Sequence, residues 1–259
     1  MAFTTIDNPE LYFQVASYTS DNNGGSPSTK AITLPGDTDM QPDAVWIKSF
    51  TTADTHVLFD SVRGVQKRIA PSETSAESTQ SQELTAFSSD GFTVGTGDNV
   101  RRDHGGSTPD QYVAWCWKAE TAFSNDASAT SVGNTDSNGT AQSTAGFSIC
   151  KYVGAGSSTD IEVKHGLSVK PAVMFTKNIE EAGGNDWAVY HHKNTSAPET
   201  DYLKLSATTA TTDDAEIWHD FAAVLAADRM RKLSKREESR KMLENVKFSG
   251  YRFNVRSKK

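Results

Sequence analysis

Two stretches of this 259-residue chain repeat one another phrase by phrase, and the repeat limits the fold more than any other feature. "LYFQVASYTS" (11–20) returns as "FSICKYVGAG" (147–156), with Tyr18 over Tyr152. "QPDAVWIKS" (41–49) returns as "KPAVMFTKN" (170–178), with Pro42 over Pro171, Trp46 over Phe175 and Lys48 over Lys177. "HVLFD" (56–60) returns as "WAVYH" (187–191). The tyrosine-to-proline spacing is 24 residues in the first copy and 19 in the second, a difference in the length of one loop. Self-similarity of this kind means one structural unit built twice.

The repeated phrases read as strands. In "DIEVKHG" (160–166) Ile161 and Val163 fall on one face, Glu162 and Lys164 on the other. "YVAWCWK" (112–118) is apolar on both faces, which predicts a central strand. Between the runs lie "TSDNNGGSPS", "SSDGF" and "GTGDN", the composition of turns. Many short strands so punctuated predict a mainly β protein of two related antiparallel β-sandwich-like units with a C-terminal basic helical segment. The expected layout is a first unit over 1–120, a polar linker over 121–145 whose Ala/Thr/Val alternation also allows an edge strand, an incomplete second unit over 146–220 and a basic arm over 221–259. The second unit is incomplete because "EIWHD" (216–220) parallels "LTAFSSD" (84–90) and the repeat then stops. A later run, "SGYRFNV" (249–255), echoes "SDGFTVG" (89–95) and offers a terminal strand.

Charge divides the chain at the same place. Residues 229–259 hold twelve Lys/Arg and three Glu, a local charge of +9, against −16 for the rest and −7 overall. The acidic body is a poor match for nucleic acid. Cys116 and Cys150 lie in apolar strand-like runs and are expected as buried free thiols. The opening "MAFTTIDNPE" lacks a basic n-region and an apolar h-region, so no secretory signal is expected. The apolar run "FAAVLAA" (221–227) is far too short to span a bilayer.

The phrases "MAFTTIDNPELYFQ", "QPDAVWIKS", "HVLFDSVRG", "SSDGFTVGT" and "YVAWCWKA", followed by "TAGFSICKYVGAG", "HGLSVKPAVMFTKN" and "DWAVYH", resemble a family of tailed-phage virion proteins. That family, of tail or fibre-like proteins, is common in marine phages such as cyanophages and pelagiphages. The resemblance covers roughly residues 1–120 and 145–220. It implies a virion structural protein (tail, fibre or decoration component), assembled in the host cytoplasm among other phage virion subunits. Similar chains complete the second unit with a strand like "YVAWCW"; this one departs from them after residue 220.

The residues offer little chemistry. No G-x-S-x-G elbow occurs, and "GTGDNV" (95–100) lacks the third glycine of a dinucleotide loop. The six histidines are scattered without zinc-like spacing, and His191 and His192, adjacent on a strand, face opposite ways. "NTDSNG" (134–139) matches half a calcium loop, but Ala145 stands where the bidentate glutamate belongs. No enzyme, cofactor or metal is therefore expected. Asp60 and Arg63 in "FDSVRG" read as a local ion pair that orders a loop. Arg101, Arg102 and His104 in "NVRRDHGG" are candidate binding residues at a loop tip. Trp218, where the repeat breaks, is the candidate exposed aromatic; with that tip it would serve a host surface glycan, the alternative function as a receptor-binding adhesion module.

The basic stretch has high helix propensity, with no Gly or Pro over 221–247. Its apolar residues form no continuous stripe, so it is no coiled-coil seam. It reads as a solvated segment or as an arm in which Arg229, Arg231, Lys232, Lys235, Arg236, Arg240 and Lys241 dock on an acidic neighbour, another copy of the body included. Contact with nucleic acid through Phe248, Tyr251 and Phe253 is the weaker reading. Unpaired edges in the incomplete unit predict an oligomer or complex.

Overall fold

The structure is a computed structural model and describes residues 6–21, 28–102, 109–154, 160–181, 183, 185–215 and 217–218. In chain order the first half holds β1 (Phe13–Thr19), β2 (Lys30–Thr33), β3 (Ala44–Ser49), β4 (Val57–Asp60), β5 (Lys67–Arg68), β6 (Ser78–Thr79), β7 (Leu84–Ser88), β8 (Gly91–Val94), a turn of helix α1 (Asp98–Arg101) and β9 (Gln111–Trp117). The second half holds β10 (Thr121–Asn125), a turn of helix α2 (Ala127–Thr130), β11 (Ser137–Gln142), β12 (Phe147–Tyr152), β13 (Val173–Thr176), β14 (Ala188–His191), β15 (Asp201–Lys204) and β16 (Thr212–Asp213).

The first half is organised by β9. It lies between β1 and β3 in a sheet of order β1-β9-β3-β4, antiparallel to both. Its alternation buries Tyr112, Ala114 and Cys116 on one face and leaves Val113, Trp115 and Trp117 half-buried on the other. A second sheet, β2-β8-β7, contributes Ile32, Phe92, Val94 and Leu84 to the same core as Tyr18, Val45, Ile47, Val57 and Phe59. Tyr18 and Tyr112 stack at 5.4 Å inside it. The outer face carries Trp46 edge-on to Trp115 at 6.2 Å, with the Trp46 indole N–H donating to His56 Nδ1 at 3.0 Å.

The second half keeps the strands of the repeat but not the sheet. The pairs of β3 with β4 are Ala44–Asp60, Val45–Phe59, Trp46–Leu58 and Ile47–Val57. Those of β13 with β14 are Val173–His191, Met174–Tyr190, Phe175–Val189 and Thr176–Ala188. Under the sequence alignment these are the same four pairs. The lysines also correspond. Lys48 donates to the carbonyls of Ser49 and Thr52 (2.8 Å), and Lys177 to those of Asn185 (2.6 Å) and Thr74 (3.1 Å), so each gathers carbonyls at the end of its strand.

Two related sandwich units are nevertheless not what forms. The counterpart of β1, β12, sits in a sheet of order β10-β11-β12, and β13 in another of order β13-β14-β15-β16. The reason is the strand between them. In the first half β9 joins β1 to β3; among the described residues nothing stands between β12 and β13. The fold is mainly β, but its sheets do not form two sandwiches. No helix among the described residues exceeds four residues. The basic arm expected over 221–259, with its terminal strand, lies outside the described residues. None of the described helices is long and apolar enough to cross a membrane.

The polar stretch expected as a linker, 121–145, holds β10, α2 and β11 instead. Its polar groups are satisfied locally. Asp126 caps α2 by accepting the N–H of Ala129 at 3.0 Å, Asn125 donates to the Val132 carbonyl at 2.9 Å, and the Ser137 hydroxyl donates to the Lys164 carbonyl at 3.0 Å. Gly139 lets Phe123 and the Ile149 carbonyl close in: a Cβ there would lie 2.7 Å from Phe123 Cζ and 2.1 Å from that oxygen.

Side chains of the second half lock onto the first. The Trp187 indole, 3 % exposed, donates to the Ala70 carbonyl at 2.9 Å. The Glu77 N–H donates to the Ile179 carbonyl at 2.9 Å. Phe147 of β12 stacks on Trp117 of β9 at 5.9 Å. The repeat is thus built into one packed body.

Candidate functional site

The exposed edge of β13 stands out from the surface. Among the described residues β13 pairs with β14 alone, on one side. Val173 is 42 % exposed and Phe175 55 %, although their counterparts in the first half, Ala44 and Trp46, are buried and half-buried. Trp46 owes its cover to Trp115 on β9. Phe175 occupies the same register position with no such neighbour among the described residues. Val169 and Val153, also strongly exposed, precede β13 and follow β12. Unpaired backbone beside exposed apolar side chains is the arrangement that accepts a further strand.

This edge was legible only indirectly. The repeat showed which strand is missing, since "YVAWCWK" has no second copy in 146–220. Which residues that omission uncovers follows from the register.

The residues singled out at the loop tip are not gathered into a site. Arg101 is fully buried, and its Nε donates to Asp21 Oδ1 at 2.6 Å. The backbone around it is fastened from within: Tyr18 donates to the Val100 carbonyl at 2.7 Å, and Tyr112 to those of Asp98 (3.1 Å) and Arg102 (3.0 Å). Burial pushes the phenol pKa of both tyrosines upward, so they stay donors. Arg102 is exposed and pairs with Asp98 at 2.8 Å. His104 lies outside the described residues, as do Arg229, Arg231, Lys232, Lys235, Arg236, Arg240 and Lys241.

Trp218 is half-buried rather than displayed. Its indole N–H donates to the Asp201 carbonyl at 3.1 Å, and its ring meets Tyr190 edge-on at 5.8 Å. It extends the small core of the second half.

The remaining polar groups are structural by their contacts. Arg63 donates to Asp60 (2.6 Å), Glu77 (3.1 Å) and the carbonyls of Lys67 (2.8 Å) and Leu58 (3.2 Å). It ties the turn after β4 to the β5–β6 hairpin. In "NTDSNG" the Asn134 side chain bridges Asp160 and Glu162, and Asp136 accepts the N–H of Ala127. No group of three or more His, Cys, Asp or Glu placed to hold a metal occurs among the described residues. Both cysteines are free, Cys116 buried as expected and Cys150 only half-buried; burial raises the Cys116 thiol to about 12 and the Cys150 thiol to about 11. A shallow cleft of about 540 Å³ lies between the halves, lined by Ser72, Glu73, Thr74, Ser75, Gly183 and Ser206, with no aromatic side chain.

Comparison with curated proteins and with solved structures gave no match. A family model described as a domain of unknown function, DUF7483, matches residues 8–243, which takes in both copies of the repeat and the first part of the basic stretch. The match covers most of the chain, and the chain therefore belongs to the DUF7483 family.

Proposed function

We propose that this protein is a structural subunit of a tailed-phage virion, a tail, fibre or decoration component that acts by assembly and carries out no catalysis. The observation that carries the assembly reading is the edge of β13, unpaired among the described residues, with Phe175 and Val173 exposed. The resemblance of the repeated phrases to phage tail and fibre-like proteins supplies the setting. A neighbouring subunit that adds a strand to β13 covers the two apolar side chains and pairs the free edge in one step. The basic residues from Arg229 to Lys241 give such a neighbour a second hold, because the rest of each copy is acidic.

The test is Phe175→Lys. Phe175 is mostly exposed, so the substitution leaves the thermal stability of the isolated chain within about 0.5 kcal/mol. It also places a charge where an added strand must pack, so association in sedimentation and incorporation into particles fall together. Wild-type chain that stays monomeric at micromolar concentration, with Phe175→Lys incorporated as well as wild type, refutes the proposal.

A further inference from the structure

We infer that the protein forms a symmetric dimer in which β1 pairs antiparallel with β1 of a second copy, about a two-fold axis at Val15. β1 and β4 are the two outer strands of the sheet β1-β9-β3-β4, and their edges differ. At β4 the chain closes its own edge: Leu58 and Ile69 exchange backbone N–H···O=C bonds of 2.9 and 3.1 Å. At β1 nothing among the described residues does so.

The outward groups of β1 follow from its ladder. The Lys118 N–H donates to the Tyr12 carbonyl at 2.9 Å, and the Ser20 N–H to the Asp110 carbonyl at 2.7 Å. Backbone groups alternate in direction along a strand, so the even-numbered residues bond toward β9, and Phe13, Val15, Ser17 and Thr19 point away from it. The Thr19 carbonyl is taken by the Lys30 ammonium at 2.8 Å. Before Phe13 the chain turns off into a single helical turn, Pro9–Leu11. Phe13, Val15 and Ser17 remain, with N–H and C=O groups that bond to nothing among the described residues.

Three such residues centred on one position make an edge complementary to itself. With Val15 opposite the partner subunit's Val15, Phe13 meets the partner's Ser17 and Ser17 meets the partner's Phe13. All six residues then exchange both backbone bonds. A shift by two residues leaves one of the three unpaired in each copy. The side chains agree with this register. Val15, Trp115, Trp46 and Leu58 stand directly opposite one another across the four strands, half-buried or exposed on the outer face. The axis joins that row to its copy, giving one apolar row across eight strands, and covers Phe13 and Val15, now 38 % and 40 % exposed.

Charge favours a second copy at this place. The chain outside 229–259 carries −16, so two copies meet at least cost where charge is absent, and residues 11–20 hold none. They also hold no Lys, Pro or bulge, the devices that blunt an edge strand. The antiparallel arrangement brings the Lys30 end of one β1 beside Glu10 of the partner subunit, an opposite-charge contact made twice. Dimerisation at β1 leaves the β13 edge untouched and holds whether or not the protein belongs to a particle.

Charges placed on the axis of the full chain test the pairing. Val15→Lys sets two ammonium groups face to face, and Val15→Glu two carboxylates. Each variant is expected to melt as the wild type does and to sediment as a monomer at micromolar concentration, where the wild type is a dimer. Mixed in equal amounts, the two should recover the dimer. Val15→Cys should form a covalent dimer without reductant, because directly opposed strand residues lie within disulfide reach, whereas the wild type should form none. Phe13→Cys and Ser17→Cys chains should cross-link with each other and not with themselves. Phe175→Lys should retain the β1 dimer. A monomeric wild type, no covalent dimer from Val15→Cys, or folded Val15→Lys and Val15→Glu chains that stay apart when mixed overturns the inference. Association kept in Val15→Lys and lost in Phe175→Lys belongs to the β13 edge and overturns it as well.

Discussion

At the scale of single residues, Glu83 shows how a buried charge tunes this fold. Its side chain is almost fully buried, and its Oε1 accepts from Arg68 at 3.1 Å and Asn99 at 3.0 Å. Burial still dominates and raises its pKa above the ordinary glutamate value. The folded state then holds the proton over a range in which the unfolded chain has lost it. Stability should fall as pH rises from about 4.5 through the elevated folded pKa, and level off above it. Thermal melts from about pH 4 to about pH 7 should show that slope, and Glu83→Gln should flatten it. Arg101 teaches a different lesson. In sequence it looked like the head of a basic loop tip; in space it turns inward to Asp21. Its burial depends on partners some eighty residues away, and no local pattern announces them.

At the scale of elements, the ladders were the most legible part. Pro42 and Pro171, Trp46 and Phe175, and Lys48 and Lys177 predicted matching strands, and β3–β4 and β13–β14 share one register. The sheets were less legible. "SNGTAQ" looks like linker because strand composition usually signals itself through branched and aromatic residues. β11 pairs anyway, because Gly139 admits Phe123 and the buried Ser137 finds a carbonyl. Two sandwiches were expected because the repeat suggested that equal strands make equal sheets. A sheet, however, depends on each strand having its neighbours, and among the described residues β12 and β13 lack the common one. Trp187 marks the other boundary that the repeat misplaced. Its indole hydrogen bond to Ala70 crosses from one copy to the other. Trp187→Ala should cost about 3–5 kcal/mol. Calorimetry should show the loss in the unfolding of the whole body, since the first half loses a packed wall along with the second.

At the scale of the whole molecule, charge and edge act over different distances. The +9 of residues 229–259 and the −16 of the remainder attract between copies over about 10 Å at 0.1 M salt, and less as salt rises. The proposed strand addition at β13 would work through contact and be far less sensitive to ions. Association measured by sedimentation should therefore weaken between about 0.05 M and about 0.5 M salt, and removal of residues 229–259 should erase most of that dependence. An association unaffected by salt would leave the basic stretch without a part in it.

The central place of β9 also sets an order of events during synthesis. Among the described residues β1 and the β3–β4 hairpin have no ladder with each other; in the sheet β9 joins them. While a ribosome is still making residues 61–110, the first half has two sheet fragments and no strand to join them. Contacts this far apart in sequence form slowly. The nascent chain therefore shows its apolar edges for the time it takes to translate some fifty residues, and becomes whole when Tyr112, Ala114 and Cys116 arrive between Tyr18 and Val45. Among the described residues β12 and β13 stand as β1 and β3 do at that earlier moment. Within those residues the second half shows the arrangement that the first half only passes through.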